Sequence, residues 1–249
     1  MKTICLLIPT YNEEDSLDKL FSRLKESTAG ISNYRFEMLF VNDGSRDRTL
    51  EIIKAEAKKS TNISYVNLSR NFGKEIAMIA GIDATTADAL VILDADLQDP
   101  PELIEEMIKH WEEGYDDVYA RRNNRKGETW LKKATSKFYY KLLQSSTNRP
   151  IQIDTGDFRL LDRKCIDAIK QFRESQRNTK AMFSWIGYRK KEIYYDRDPR
   201  IAGSTKWNYR KLINLAIDGI TSFTTTPLRV SSVLGFIVSV SAFIYILYL

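Results

Sequence analysis

The stretch Val91-Ile92-Leu93-Asp94-Ala95-Asp96-Leu97-Gln98-Asp99-Pro100-Pro101 carries the clearest chemistry in the chain. Asp94 and Asp96 are two residues apart, so on extended backbone they point to the same side, with Gln98 next in that series if the chain stays extended. Two carboxylates and an amide oxygen are hard donors. They suit Mg²⁺ or Mn²⁺ that also holds phosphate oxygens. A solvated acidic loop is the competing reading, and the apolar run in front of the carboxylates tells against it. Leu90 to Leu93 is too short for a stable helix and is followed by a proline pair, so it predicts a buried strand with Asp94 and Asp96 at its C-terminal edge.

Three more polar clusters follow apolar runs in the same way: Pro9-Thr10-Tyr11-Asn12-Glu13, Asn42-Asp43-Gly44-Ser45 and Arg70-Asn71-Phe72-Gly73-Lys74. Asp43, on a sharp turn, can accept hydrogen bonds from a base or ribose, and Glu13 can do so from the neighbouring loop. Asp43 also suits a turn for its own sake, and Glu13 suits the opening of a helix. Lys74 opens a helix beside Arg70, where it can meet a diphosphate or simply face solvent.

The elements that must position these groups alternate. Strands are predicted at Ile4 to Ile8, Phe36 to Val41, Ser64 to Leu68 and Leu90 to Leu93. Helices are predicted over Glu13 to Lys25, from Asp47 as a cap to about Lys59, and over Gly73 to Ala84. Alternation of this kind implies an α/β fold with a mostly parallel central sheet, covered on both faces, and ligands outside the carboxyl ends of its strands. Further along, Asp99 to about Glu113 predicts a helix with proline in its first turn, and Asp117 to Ala120 a strand. Asp154 to Leu160 reads as a turn into a strand, with Gly156 allowing a close backbone approach. Helices near Asp162 to Phe172 and Lys180 to Tyr188 and a strand at Glu192 to Tyr195 follow. His110, the one histidine, sits on a helix and is read as structural, which disfavours a Ser-His-Asp triad or a histidine-rich zinc site.

The chain of 249 residues is 43% hydrophobic and 29% charged, ordinary for a globular domain with one sizeable core. Its C-terminus is not ordinary. Val230 to Leu249 carries no charge and is long enough to span about 30 Å of hydrocarbon as a helix. Arg197, Arg200, Lys206, Arg210, Lys211 and Arg229 lie before this span, which by the positive-inside rule places the folded domain in the cytoplasm, at the inner (plasma) membrane. The net charge of +5 calls for an anionic partner, and with a membrane span present an anionic bilayer and phosphorylated substrates fit better than nucleic acid. Basic residues interleave with aromatics just where a lipid phosphate would be met: Arg122 at the end of a strand, then Lys132 and Lys133 on an amphipathic helix predicted over Trp130 to Leu143. Another amphipathic helix, over Tyr209 to Phe223, is expected to lie in the membrane interface. Two cysteines, Cys5 and Cys165, agree with a reducing compartment, and a strand at the N-terminus predicts no cleavable signal.

Taken together, Ile8-Pro9-Thr10-Tyr11-Asn12-Glu13-Glu14, Val41-Asn42-Asp43-Gly44-Ser45 and Leu93-Asp94-Ala95-Asp96 resemble the nucleotide-sugar half of family 2 glycosyltransferases with the GT-A fold. Asp154-Thr155-Gly156-Asp157-Phe158-Arg159-Leu160 and Arg200-Ile201-Ala202-Gly203-Ser204-Thr205-Lys206-Trp207 narrow the resemblance to polyprenyl-phosphate hexosyltransferases, the group of bactoprenol glucosyltransferases and dolichol-phosphate mannose synthases. The resemblance implies a GT-A domain over 1–207, a juxtamembrane amphipathic helix over 208–228 and a transmembrane helix over 229–249. It implies that Pro9, Tyr11, Glu13, Asp43, Lys74, Asp94 and Gln98 bind the nucleotide sugar, and that Asp94, Asp96 and Gln98 hold the metal. Asp157 would stand beside the reacting sugar carbon, as a base or as an orienting group, with Asp96, Arg200 and Lys206 also catalytic. Arg200 and Lys206 would belong to a loop that closes over the diphosphate. The expected reaction is inverting transfer of a hexose, glucose from UDP-glucose first, to undecaprenyl or another polyprenyl phosphate. A GDP-mannose or UDP-aminoarabinose type of donor, or a membrane-tethered nucleotide-binding module without catalysis, are the alternatives. A homo-oligomer is compatible with all of these. The Gln-x-x-Arg-Trp segment of processive polysaccharide synthases is absent from the sequence.

Overall fold

The computed structural model describes residues 1–123, 155–172, 179–196 and 226–249. The chain divides into two units, residues 1–127 with 152–204 and residues 128–151 with 205–249. The first is built on β1 (Lys2–Thr10), α1 (Leu17–Ala29), β2 (Tyr34–Asn42), α2 (Thr49–Lys59), β3 (Ile63–Asn67), α3 (Lys74–Ala84) and β4 (Ala89–Ile92). A 3₁₀ turn (Pro101–Leu103) then leads into α4 (Ile104–Glu112) and β5 (Asp117–Arg122). β6 (Thr155–Asp162), α5 (Arg163–Lys170), α6 (Thr179–Trp185) and β7 (Lys190–Tyr195) are its remaining described elements.

Among the described residues, seven strands form one sheet in the order β3-β2-β1-β4-β6-β5-β7. β3, β2, β1 and β4 run parallel, β6 is antiparallel to both β4 and β5, and β7 is parallel to β5. The reversal at β6 matters for the site. Because β6 starts at the edge where β4 ends, its first residues meet the loop that follows β4, and β5 and β7 also finish at that edge.

Strand periodicity divides the core between the two faces of the sheet. Ile4, Leu6 and Ile8 of β1 pack with Leu17, Leu20, Phe21 and Leu24 of α1 and with Ile104, Met107 and Trp111 of α4. Cys5 and Leu7 point the other way, toward Ala77, Met78 and Ile82 of α3 and Cys165, Ile166 and Phe183 of α5 and α6. At Gly81 the contact with β1 is very close: a Cβ there would lie 2.1 Å from Leu7 Cδ1. Both cysteines are buried and unbridged, and burial pushes the Cys5 thiol up to about 11.

Several boundaries differ from the sequence expectation, each for a local reason. α1 starts at Leu17, not Glu13: residues 13–16 form a separate turn, closed by Ser16 N–H donating to the Glu13 carbonyl (3.0 Å) and tied to the next loop by Glu13 N–H on the Thr49 hydroxyl (2.8 Å) and Glu14 N–H on the Asp47 carboxylate (3.2 Å), after Asn12 at a φ of 55°. The helix expected from Asp99 opens as the 3₁₀ turn. Nor does the chain stay extended past Asp96: it turns, with Leu97 at a φ of 57°.

The second unit is represented by α7 (Thr226–Tyr248). Ser231–Tyr248 has a mean hydropathy of 1.9 and none of it is buried. Among the described residues it is the one helix long and apolar enough to cross a membrane. Lys132, Lys133, Arg200 and Lys206 lie outside the described residues, as do the helices expected over Trp130 to Leu143 and Tyr209 to Phe223 and the loop from Arg197 to Lys206.

Candidate active site

A cleft of about 260 Å³ opens where β1, β2 and β4 end. Its wall contains Pro9, Tyr11, Glu13 and Asp43 from the first two strand ends, Lys74 from the start of α3, and Asp94 and Asp96 from the loop after β4.

The first two loops hold each other. Asn12 N–H donates to Ser45 Oγ (3.0 Å), and Arg46 N–H donates back to Asn12 Oδ1 (2.8 Å). Glu13 Oε2 accepts from the Ser16 hydroxyl at 2.9 Å, which fixes its carboxylate at the cleft edge. Asp43 is nearly buried, and both its oxygens are used: Oδ1 accepts from Phe72 N–H (2.7 Å) and Oδ2 from Gly73 N–H (2.9 Å). Each oxygen retains a further acceptor direction, so a ribose or base donor can still be met. Gly44 has a φ of 65°, and a Cβ on it would fall 2.3 Å from the Arg70 carbonyl carbon. Only glycine lets the 70–73 loop lie this close to the β2 turn.

That loop delivers Lys74. Its Nζ lies 2.5 Å from Asp94 Oδ1 and 2.5 Å from Asp157 Oδ2. Loss of water around the ammonium works to lower its pKa, but the Asp94 and Asp157 carboxylates outweigh this and hold it above the ordinary lysine value. It is therefore a fixed positive charge at neutral pH. α3 also directs its first backbone N–H groups toward this end of the cleft, the arrangement that favours a phosphate.

Asp96 lines the cleft beside Asp94 and is almost buried, with Oδ1 accepting from Gln98 N–H at 3.2 Å. The turn at Leu97 leaves Gln98 off the cleft wall. Two carboxylates on one wall fit a divalent cation that takes its other ligands from a diphosphate, as Mg²⁺ commonly does. Among the described residues no three His, Cys, Asp or Glu side chains converge, so the protein by itself forms no complete cage.

Asp157 is paired with Lys74, and Arg159 reaches instead to Asp117 (3.2 and 3.4 Å), with both of those residues fully buried. Arg122 ends β5 at the same edge of the sheet as the cleft and is half-buried. His110 contacts Glu113 at 2.9 Å and packs edge-on to Tyr115, away from the cleft wall. Thr10, Asn71, Ala77 and Ala95 also line the cleft and were not singled out from the sequence. For Thr10, Asn71 and Ala95 the signal was adjacency to a strand end.

The family model of Glycosyl transferase family 2 matches residues 5–170. The chain belongs to that family. As a member of it, the protein is a glycosyltransferase with the mostly parallel sheet of the GT-A fold. Among relatives, an "uncharacterized glycosyltransferase" of Synechocystis sp. is 50% identical over 97% of this chain and 76% of its own. The "prophage bactoprenol glucosyl transferase homolog" of Escherichia coli is 41% identical over 97% of this chain and 79% of its own. Among solved structures, glucosyl-3-phosphoglycerate synthase from Mycobacterium tuberculosis, in complex with Mn²⁺, UDP and phosphoglyceric acid, superposes with a TM-score of 0.54 at 16% identity, covering 86% of this chain and 75% of that one. At that identity the likeness concerns the fold.

Proposed function

We propose that this glycosyltransferase moves a hexose, glucose from UDP-glucose, onto undecaprenyl or a similar polyprenyl phosphate at the cytoplasmic face of the plasma membrane. The observation that carries the reading is Lys74, held between Asp94 and Asp157, on the wall of a cleft that Asp94 and the nucleotide-side residues Glu13 and Asp43 also line. Relatives named bactoprenol glucosyl transferase, matching 97% of the chain, supply the acceptor class, and α7 supplies a means of staying where that acceptor is.

In this reading, Tyr11, Glu13 and Asp43 receive the nucleoside and the α3 N-terminus with Lys74 faces the diphosphate. Asp94 and Asp96, with Gln98 if the loop rearranges, would hold Mg²⁺ or Mn²⁺, which when bound supplies Lewis-acid charge to the departing diphosphate. The lipid phosphate oxygen attacks the anomeric carbon from the face opposite the diphosphate. The new C–O bond forms as the old one breaks, UDP leaves, and the configuration inverts. A phosphate monoester is largely ionised at pH 7, so no strong base is needed. Asp157, held by Lys74, then serves to orient the acceptor or to stabilise positive charge on the sugar. Arg122, with Lys132 and Lys133, is assigned to the acceptor phosphate, and Arg200 and Lys206 to the diphosphate. We divide the chain accordingly into 1–207, 208–228 and 229–249.

The test is to incubate membranes containing the protein with a panel of radiolabelled UDP- and GDP-sugars and extract the lipid. UDP-glucose should label an extractable polyprenyl lipid. Label from GDP-mannose alone would replace the donor, and no labelled lipid from any member would overturn the acceptor.

A further inference from the structure

Tyr195 closes β7 directly beside Arg122, its register partner on β5, and Asn123 N–H donates to the Tyr195 carbonyl at 3.0 Å. The tyrosine is almost wholly buried, yet its hydroxyl is not in an apolar setting. It donates to Asp99 Oδ1 at 2.6 Å and accepts from Arg122 Nε at 3.4 Å. Asp99 is itself only 3% exposed and lies three residues beyond Asp96 on the same loop. The ring packs edge-on against Phe158, with centroids 6.2 Å apart. A Cβ placed on Gly156 would stand 3.9 Å from Arg122 Nη2 and 3.9 Å from Tyr195 Oη, so the guanidinium lies over the backbone that carries Asp157.

We infer that Tyr195 is a positioning residue: gripped by Asp99 of the carboxylate loop, its hydroxyl fixes the Arg122 guanidinium beside Gly156 and Asp157, where the phosphate of the acceptor is received. The inference rests on the proposed acceptor role of Arg122. A guanidinium offers paired Nη donors that match phosphate oxygens, but its side chain is long and loses rotamer freedom on binding. Holding Nε on a buried phenol removes part of that loss in advance. Burial first, then the Asp99 charge, pushes the phenol pKa up, which keeps the hydroxyl protonated as Asp99's donor. The relay also joins the donor and acceptor halves of the site, since one end is on the loop of Asp94 and Asp96 and the other is on the arginine.

Tyr195→Phe keeps the ring against Phe158 and removes only the hydroxyl. The experiment is steady-state kinetics of the full chain in detergent, with UDP-glucose and undecaprenyl phosphate varied separately, beside Arg122→Gln and the double variant. Expected is a rise in the KM for undecaprenyl phosphate of about threefold to tenfold in Tyr195→Phe, the worth of one hydrogen bond. The KM for UDP-glucose should be unchanged, and the double variant should be no worse than Arg122→Gln. An unchanged acceptor KM in Tyr195→Phe, with Arg122→Gln impaired, overturns the positioning role alone. Equal damage to both KM values marks a merely structural tyrosine and also overturns it. An unchanged acceptor KM in Arg122→Gln overturns the acceptor role of Arg122 and the inference with it.

Discussion

Lys74 Nζ bridges Asp94 and Asp157, 2.5 Å from a carboxylate oxygen of each, and so joins the loop after β4 to the start of β6. In the proposed reaction Asp94 serves the metal and the diphosphate, and Asp157 the acceptor or the sugar. Lys74→Met removes the charge while keeping most of the volume. It should lower kcat/KM for the nucleotide sugar by roughly 10- to 100-fold, the range expected for losing hydrogen bonds to charged groups. It should also let Mn²⁺ bind without nucleotide, because Asp94 is released from its ammonium and left free to join Asp96. Kinetics and Mn²⁺ titration by electron paramagnetic resonance check the two halves. Full activity would reduce Lys74 to a structural latch.

A second prediction concerns stability away from the cleft. Arg159 and Asp117 are both fully buried, and the guanidinium also stacks 4.0 Å from the Phe183 ring centroid. Asp117→Asn strands a buried positive charge, which costs about 3 kcal/mol or more. For a domain of this size, that is a fall in Tm of roughly 6 to 12 °C. Replacing both residues with apolar ones of similar volume should restore much of the loss. Differential scanning fluorimetry of the two variants decides the matter, and a single variant as stable as the parent would contradict it.

A third prediction is pH-dependent. Burial pushes the Asp47 carboxyl up, but hydrogen bonds from the Thr49 hydroxyl, Thr49 N–H and Glu14 N–H outweigh it and hold the pKa below the ordinary carboxylate value. A depressed native pKa contributes stability that is fully present above the unfolded value of about 4 and is lost as pH falls through the native one. Asp47→Asn should therefore cost about 1 kcal/mol at pH 6 and progressively less below pH 4. Urea melts of both proteins from pH 3 to 6 measure this; a difference that does not shrink in acid would refute it.

The strand-end chemistry was legible in the sequence because parallel strands bring their C-terminal loops to one edge, and each loop announces itself by polar residues after an apolar run. Asp43, Asp94 and Asp96 were found that way. Lys74 could be placed at a helix start, but its two partners could not, since Asp157 is 83 residues away and meets it only because β6 enters the sheet antiparallel. Nor does Asp157 pair with the nearby Arg159, which lies buried against Asp117 of β5 and Phe183 of α6. The Asp99–Tyr195–Arg122 relay was illegible for the same reason: it depends on β5 and β7 ending side by side. The turn at Leu97 was missed because a leucine at positive φ leaves no mark in composition.

The central claim is transfer driven through the Asp94 and Asp96 corner of the cleft, and Asp96→Ala addresses it most directly. Membranes bearing parent or variant protein at equal, folded levels are given radiolabelled UDP-glucose with Mn²⁺, with or without a chelator, and the lipid is extracted and counted. The account predicts labelled lipid from the parent, its loss on chelation, and at least a hundredfold less from Asp96→Ala, on the order of the cost of removing a principal charge-stabilising group. Undiminished labelling by Asp96→Ala, or by the parent under chelation, would contradict it.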